Sequence, residues 1–249
     1  MIKNILKSYL KKLFQKYRIL EKWYGIRPET KEFYGQFGED ASLQTFFSNL
    51  EWNNGNKSKE LKTGFYIDIG CYSPIRISNS YWFHKRGWMG INVDISEATI
   101  TSFQLARPKD INIVAAITDQ KIISTMDYYE FGSSSVYNTL SKDSAIETEQ
   151  KINITPKIKK VKCMTLSNLL DLYLPVNQEI SFLSIDAESH DFNILKSNDW
   201  NKYKPKAVIV EIHESVFKNL IDNQIIKFLE SHGYEVYSWL NPSVILRLK

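Results

Sequence analysis

Residues 64–94 read GFYIDIGCYSPIRISNSYWFHKRGWMGINVD, and this stretch decides the fold. A short apolar run ends on Asp68 and Gly70, a segment of helical character follows, and a second apolar run ends on Asp94. Apolar strands separated by a helical crossover are typical of parallel neighbours in a sheet covered on both faces. Ligands of such sheets bind outside the carboxyl ends of the strands. The sequence therefore predicts that Asp68, Gly70 and Asp94 lie together beside a ligand of an α/β sheet.

The residue types at these two strand ends indicate a cofactor that contains a nucleoside. An acidic residue that ends the second strand can accept hydrogen bonds from the paired hydroxyls of a ribose. The loop from Asp68 to Pro74 lacks the second and third glycines with which dinucleotide-binding folds cradle a pyrophosphate. S-adenosylmethionine fits, because it has a ribose and no phosphate and because its cationic groups tolerate a nearby carboxylate. A simple structural turn is the alternative, since hydrophobic-Asp-x-Gly also occurs at ordinary strand ends.

Length and composition indicate one enzyme-sized domain with an extension. The chain has 249 residues, 43% of them hydrophobic, and no linker rich in proline, glycine or serine divides it. We expect a single domain over residues 33–249, preceded by a helical extension over residues 1–32. The cysteines, Cys71 and Cys163, have neither the spacing of zinc ligands nor the number expected of a disulfide framework. This usage favours a reducing compartment, the cytoplasm.

The basic residues are concentrated in the extension. Met1–Lys22 contains seven Lys and Arg residues against one acidic residue, Glu21, so the rest of a chain with net charge +4 carries about −2. The basic pI therefore does not indicate nucleic-acid binding, which requires a basic face on the folded domain. Apolar residues recur in this segment at helical spacing, and lysines interrupt every apolar run. We expect an amphipathic helix that either lies on an anionic membrane surface or packs against protein.

A second group of polar residues follows two later apolar strands. Residues 180–190 read ISFLSIDAESH, and residues 207–214 read AVIVEIHE. If the two strands are neighbours, they direct carboxylates and imidazoles to the same end of the sheet as the first pair. Such groups can deprotonate a hydroxyl or bind a divalent cation, although acidic residues at strand-to-helix junctions often only cap the helix. The residues concerned are Asp186, Glu188, His190, Glu211 and His213.

The remaining chain is expected to complete the sheet. We predict a third strand over residues 111–117, where sheet order would bring Ala115, Ala116 and Asp119 close to the base of the cofactor. A long polar stretch over residues 132–160 is predicted to be a substrate loop. A hairpin closes the chain, and a hairpin requires one antiparallel strand near the edge of the sheet. That strand separates this architecture from an ordinary dinucleotide-binding fold.

Five motifs resemble, in order, those of the FkbM-type methyltransferases. The resemblance covers roughly residue 33 to the end and implies a Rossmann-like, seven-stranded fold whose mostly parallel sheet has an antiparallel C-terminal strand. It also implies S-adenosylmethionine-dependent O-methylation of sugars or other secondary metabolites, often for surface polysaccharides. Two departures from the family pattern, Ser189 for glycine and Cys71 for alanine or glycine, would narrow or alter the pocket. The motifs are GQFGED (35–40), residues 64–94, VKCMTLSNLLD (161–171), FLSIDAESHDFNILK (182–196) and PKAVIVEIHE (205–214).

These motifs and the resemblance give a predicted site. Glu188 or His190 would act as the base for in-line methyl transfer to a hydroxyl, and His213 is a third catalytic candidate. Some sugar methyltransferases of this fold bind a magnesium ion through acidic residues at the ends of these two strands. The resemblance implies that Asp186 and Glu211 are the corresponding positions here. The predicted cofactor-binding residues are Gln36, Glu39, Asp68, Gly70, Asn79, Asp94, Ile95, Ala115, Ala116 and Asp186.

Two other functions compete with this interpretation. A nicotinamide-dependent oxidoreductase would need the pyrophosphate loop that the sequence lacks. A noncatalytic, membrane-attached adaptor would keep the basic helix and would not need the acids at the strand ends. For the methyltransferase, the expected partner is a sugar or glycolipid acceptor rather than nucleic acid. The expected location is the cytoplasm, with peripheral contact to the inner face of the membrane through residues 1–22.

Overall fold

The structure is a computed structural model that describes residues 12, 32–53, 62–119, 124–132, 135, 137–187 and 190–249. Contacts divide the chain between Glu32 and Phe33, and the second unit, Phe33–Lys249, contains the sheet and the cavity. Of the predicted helix of residues 1–22, only Lys12 is among the described residues. Glu188 and Ser189 also lie outside them. In the ranges that are described, no helix has the length and the apolar character needed to cross a bilayer.

Helices and strands alternate along most of the chain. The helices are α1 (Glu39–Asn53), α2 (Tyr81–His84), α3 (Glu97–Ala106), α4 (Lys142–Ile152), α5 (Leu166–Tyr173), α6 (Asp191–Lys196), α7 (Phe217–Asp222) and α8 (Gln224–Ser231). The strands are β1 (Phe65–Ile69), β2 (Met89–Asp94), β3 (Ile111–Val114), β4 (Ala116–Ile117), β5 (Ser124–Glu130), β6 (Lys157–Met164), β7 (Phe182–Ile185), β8 (Ala207–Glu211), β9 (Tyr234–Trp239) and β10 (Ser243–Leu248).

The main sheet has seven strands in the order β3-β2-β1-β7-β8-β10-β9. Strands β3, β2, β1, β7 and β8 are parallel, and β10 is antiparallel to both β8 and β9. The predicted fold, a mostly parallel seven-stranded sheet with an antiparallel C-terminal strand, is confirmed. Strand order reverses at β1, which pairs with β2 on one side and with β7 on the other. This reversal is the place where open α/β sheets bind their ligands.

Apolar side chains cover both faces of this sheet, which explains why its central strands have no polar face. Along β1, Phe65 and Ile67 join a large cluster with residues of α5, α6 and α8. Tyr66 points to the other face, where it packs among aromatic residues of α1 and α2 such as Phe47 and Phe83. Alternation along β1 places Asp68 on the same face as Tyr66. Its carboxylate is therefore buried rather than solvated.

The prediction was wrong for two middle segments of the chain. The expected strand of residues 111–117 is divided, because β3 pairs with β2 whereas β4 pairs with β6 in a second sheet of order β4-β6-β5. The expected loop of residues 132–160 contains α4 and the first residues of β6. Ser141 caps α4 by accepting from the Ser144 backbone N–H, and Asn153 ends it in the left-handed conformation. The polar composition suggested a loop because α4 is a surface helix in which only Ala145 is buried.

Candidate functional site

A cavity of about 630 Å³ opens at the carboxyl ends of β1, β2, β7 and β8, beside the reversal of strand order. The chain thus concentrates most of the predicted site residues at one place, although they come from strands far apart in sequence. The predicted residues that line the cavity are Gln36, Asp68, Gly70, Asn79, Asp94, Ile95, Ala115, Ala116, Asp186, His190, Glu211 and His213.

Two residues expected near the cofactor lie outside this lining. Glu39 is buried, and its carboxylate accepts from the Phe37 backbone N–H at 2.9 Å and from the Ser243 hydroxyl at 2.7 Å. Glu39 therefore anchors the loop before α1 to β10. Asp119 is exposed and pairs with Lys196 at 3.2 Å, because the chain has already left the main sheet at β4.

Gly70 lines the cavity, but the main chain beside it already requires a glycine there. Its φ angle is +76°, and a Cβ atom added to it would overlap the carbonyl group of Asp186. Its N–H donates to the carbonyl oxygen of Val93 at 2.9 Å. The turn after β1 thus packs directly against the turn after β7. Space for a ligand at this strand end is therefore not the only reason for a glycine.

Gly70→Ala is therefore expected to destabilise the fold by about 3 to 5 kcal/mol, because a left-handed alanine and a main-chain overlap act together. Two variants separate these causes. Gly87 has a φ angle of +85°, and a Cβ atom there would make only an ordinary contact with Thr63 Cγ2 at 3.8 Å, so Gly87→Ala should cost about 1 to 2 kcal/mol. Gly132 has neither constraint, and Gly132→Ala should stay within about 0.5 kcal/mol of the wild type. Urea unfolding of all three variants measures these costs, and equal costs at Gly70 and Gly87 would contradict the overlap.

Asp94 is held in place by two backbone N–H groups. One carboxylate oxygen accepts from Ser96 at 2.8 Å and the other from Tyr72 at 3.2 Å. Burial raises the pKa of Asp94, and these two hydrogen bonds oppose that rise. A carboxylate has about four lone-pair sites, so acceptor capacity remains beyond the two bonds. Asp94 can therefore accept from hydroxyl groups of a ligand in the cavity.

Asp68 belongs to a buried network that fixes the loop over the cavity. Its carboxylate accepts from the Ser80 hydroxyl at 2.6 Å, and the fully buried Arg107 donates to that same hydroxyl at 2.8 Å. The Arg107 guanidinium also donates to the Ser78 hydroxyl at 2.9 Å and to the carbonyl oxygen of Pro74. Burial raises the pKa of Asp68, whereas the Ser80 hydrogen bond and the Arg107 charge lower it. The buried guanidinium of Arg107 therefore fixes the conformation of the loop between β1 and α2.

Sequence reasoning missed Arg107. A cationic residue after the last turn of α3 and before Pro108 looks like an exposed helix terminus, where Lys and Arg are common. Nothing in the local sequence distinguishes it from a solvated residue.

The imidazole groups lie on the β7 and β8 side of the cavity. His190, which is partly buried, precedes α6, and its side chain makes no capping hydrogen bond to that helix. His213 Nε2 lies 3.6 Å from Glu211 Oε2, and the exposed fractions of these side chains are 80% and 23%. A second cavity of about 370 Å³ shares Asp186, Glu211 and His213 with the first. The two cavities are therefore adjacent at these three residues.

The geometry gives the predicted magnesium site no support. Across the described residues, no group of three or more His, Cys, Asp or Glu side chains is arranged to hold a metal ion. Asp186 and Glu211 line the same cavity, but magnesium held by two carboxylates takes its other ligands from water and substrate, so this pair alone does not identify a magnesium site. No step of the mechanism below is assigned to a metal.

The carboxylates in the cavity lining are not matched by cationic side chains in the described part of that lining. Asp68, Asp94, Asp186 and Glu211 line it, and the described lining includes no lysine or arginine. A pyrophosphate is normally held by a helix N-terminus, a glycine-rich loop or cationic side chains. A cationic ligand suits these carboxylates better than a dinucleotide does.

The second sheet supplies a wall that sequence reasoning also missed. Tyr128 of β5 and four described residues that follow it in the chain line the cavity. The sequence predicts a strand over residues 121–131, which includes Tyr128, and a loop from residue 132. The pairing of β5 with β6 joins segments separated by α4, so it cannot be deduced from either segment alone. The residues of this wall are Tyr128, Ser135, Asn138, Thr139 and Leu140.

Comparison with known proteins identifies a family that includes the strand-end motifs. The family model for the methyltransferase FkbM domain matches residues 68–236, which is more than half of the chain. The chain is also similar to the crystal structure of a TehB-like SAM-dependent methyltransferase from Corynebacterium glutamicum, with 12% identity, a TM-score of 0.41 and coverage of 98% of this chain and 100% of that one. No curated protein matches the sequence. The family match begins at Asp68, the first carboxylate of the cavity, and on that match the chain belongs to the FkbM methyltransferase family.

Proposed function

We propose that the protein is an S-adenosylmethionine-dependent O-methyltransferase that methylates a hydroxyl of a sugar in a surface polysaccharide, a glycolipid or a secondary metabolite. The observation that carries the proposal is the acidic cavity at the reversal of strand order, with Asp94 at the end of β2 and no lysine or arginine in its described lining. Membership of a methyltransferase family supports the reaction type.

The residues of the cavity suit the parts of this cofactor. Asp94 accepts hydrogen bonds from the ribose, as acidic residues at the end of a second strand do in related folds. Ile95, Ala115 and Ala116 offer apolar surface to the adenine. The carboxylate of Asp68, with Asp186 nearby in the lining, offsets the positive charge of the ligand. When bound, S-adenosylmethionine supplies an electrophilic methyl group.

The catalytic task of the chain is to position a hydroxyl and to remove its proton. An alcohol holds its proton tightly at neutral pH, so a base must assist as its oxygen attacks. His190 is our candidate base, because it lines the cavity and its side chain is not used to cap α6. Glu211 and His213, which face both cavities, would orient the acceptor. Alignment of the two reactants supplies much of the remaining rate enhancement.

The acceptor can be identified by following the methyl group. The full chain is incubated with methyl-labelled S-adenosylmethionine and with separate glycan, glycolipid, protein and nucleic-acid fractions of cells that carry the gene. We expect the label in the glycan or glycolipid fraction and an alkali-stable O-methyl sugar after hydrolysis. Label in protein or nucleic acid, or an alkali-labile methyl ester, would contradict the proposed acceptor class.

We further propose that residues 1–22 bring the enzyme to a membrane that carries its acceptor. Each basic residue close to an anionic surface contributes about 1 kcal/mol, and apolar burial adds to this. The full chain should sediment with anionic vesicles at low salt and dissociate at high salt. A chain that starts at Trp23 should remain in the supernatant. Equal sedimentation of both chains would assign the segment to protein packing instead.

A further inference from the structure

The hydroxyl of Tyr128 is a buried hydrogen-bonding group in the cavity. The residue is 2% exposed and lines the cavity from β5. In the described part of the chain, its hydroxyl has no hydrogen-bond partner. A few other buried polar atoms share this condition, but none of them belongs to a residue of the cavity lining. A buried hydroxyl without a partner is costly, so the position requires an explanation.

The neighbours of this hydroxyl are already engaged with the backbone. Ser96 Oγ accepts from the Thr99 N–H and so caps α3. Asn138 accepts from the Phe131 N–H at 2.8 Å and donates to the Gly132 carbonyl at 2.8 Å. Ser96 and Asn138 thus lie close enough to the phenol of Tyr128 to lower its pKa, but neither forms a hydrogen bond of good geometry with its hydroxyl.

Tyr128 also lies within electrostatic reach of Asp94. Burial is the main cause that raises the pKa of Tyr128, and the negative charge of Asp94 adds to the rise. The phenol therefore stays protonated and keeps its O–H available as a donor. Asp94, in contrast, can only accept when it is ionised.

We propose that Tyr128 donates its O–H to the same ribose hydroxyl from which Asp94 accepts. A hydroxyl has one proton and two lone pairs, so it can donate to the carboxylate and accept from the phenol at the same time. The inference rests on the proposed cofactor, and the ligand class is a nucleoside with an intact ribose. Tyr128 is then the residue through which the second sheet selects that sugar.

The test compares Tyr128→Phe with the wild type and with Tyr129→Phe. Tyr129 is the next residue of β5, is also buried and does not line the cavity, so it is a matched control. The probes are S-adenosylhomocysteine and its 2′-deoxy and 3′-deoxy analogues, titrated by calorimetry. Tyr128→Phe should bind S-adenosylhomocysteine about 3- to 10-fold more weakly, and Tyr129→Phe should be unchanged within about twofold.

The analogues distinguish a direct contact from an indirect effect. For the deoxy analogue that lacks the shared hydroxyl, the wild type and Tyr128→Phe should bind equally, while the other analogue keeps the difference. The melting temperature of the ligand-free variant should equal or exceed that of the wild type, because an unpaired buried hydroxyl has been removed. Equal affinity for S-adenosylhomocysteine, or the same loss for all three ligands, would overturn the inference and leave the proposed function intact. A wild type that binds none of the three would overturn both.

Discussion

His190→Ala is expected to lower the rate of methyl transfer by about a hundredfold or more, which is the usual contribution of a general base. The affinity for S-adenosylmethionine should stay within about threefold of the wild type, because the base acts on the acceptor hydroxyl. The fold should tolerate the change, since the imidazole makes no capping hydrogen bond to α6. Turnover is measured with labelled cofactor on the acceptor fraction, and cofactor affinity is measured by calorimetry.

Two parallel variants make the assignment of the base specific. His213→Ala removes an imidazole that is 80% exposed and lies beside Glu211. Glu188→Gln tests the other residue that the sequence predicts as a base. Normal turnover in His190→Ala, together with a hundredfold loss in one of the other two, would move the base to that residue. Normal turnover in all three would remove general-base catalysis by these residues from the mechanism.

Asp94→Ala is expected to weaken S-adenosylmethionine binding by about 1.5 to 3 kcal/mol, or about 10- to 150-fold, as for a lost charge-assisted hydrogen bond. Asp119→Ala is the matched control, because Asp119 is an exposed carboxylate outside the cavity. Its affinity should equal that of the wild type. Asp94 also accepts from Ser96 and Tyr72, so thermal unfolding must show that Asp94→Ala remains folded. Unchanged affinity in a folded Asp94→Ala variant would remove Asp94 from the cofactor site.

The pH dependence of binding gives an independent check on Asp94. Burial raises the pKa of Asp94, so its carboxylate becomes protonated at a higher pH than an exposed aspartate. Since the ionised form accepts from the ribose, affinity should be full above that pKa and should fall as the pH is lowered through it. Asp94→Ala should lose this part of the pH dependence. An identical pH profile in wild type and variant would contradict the role of this carboxylate.

The sequence was sufficient to predict the main sheet and most of the cavity, for a physical reason. Strands that are buried on both faces must be apolar throughout, so β1, β2, β7 and β8 are visible as apolar runs. Their carboxyl ends meet at one end of the sheet. The polar residues that follow each run, such as Asp94 and Glu211, therefore come together at the cavity.

What the sequence could not supply depends on contacts between distant segments. β4 belongs to the second sheet because it pairs with β6, and no local pattern reveals that partner. Arg107 is buried because loop residues such as Pro74 and Ser78 surround its guanidinium. Gly70 is required partly by Asp186, which lies on a different turn. Each of these features is a long-range main-chain or side-chain contact rather than a matter of composition or periodicity.

Calorimetric titration of the full chain decides whether the cavity binds S-adenosylmethionine or a dinucleotide. Separate titrations use S-adenosylmethionine, S-adenosylhomocysteine, NAD and NADP. We expect both adenosyl ligands to bind at one site per chain, with binding weakened in Asp94→Ala, and we expect no measurable heat from either dinucleotide. A folded protein that binds NAD or NADP, or that binds none of the four ligands, would contradict the account.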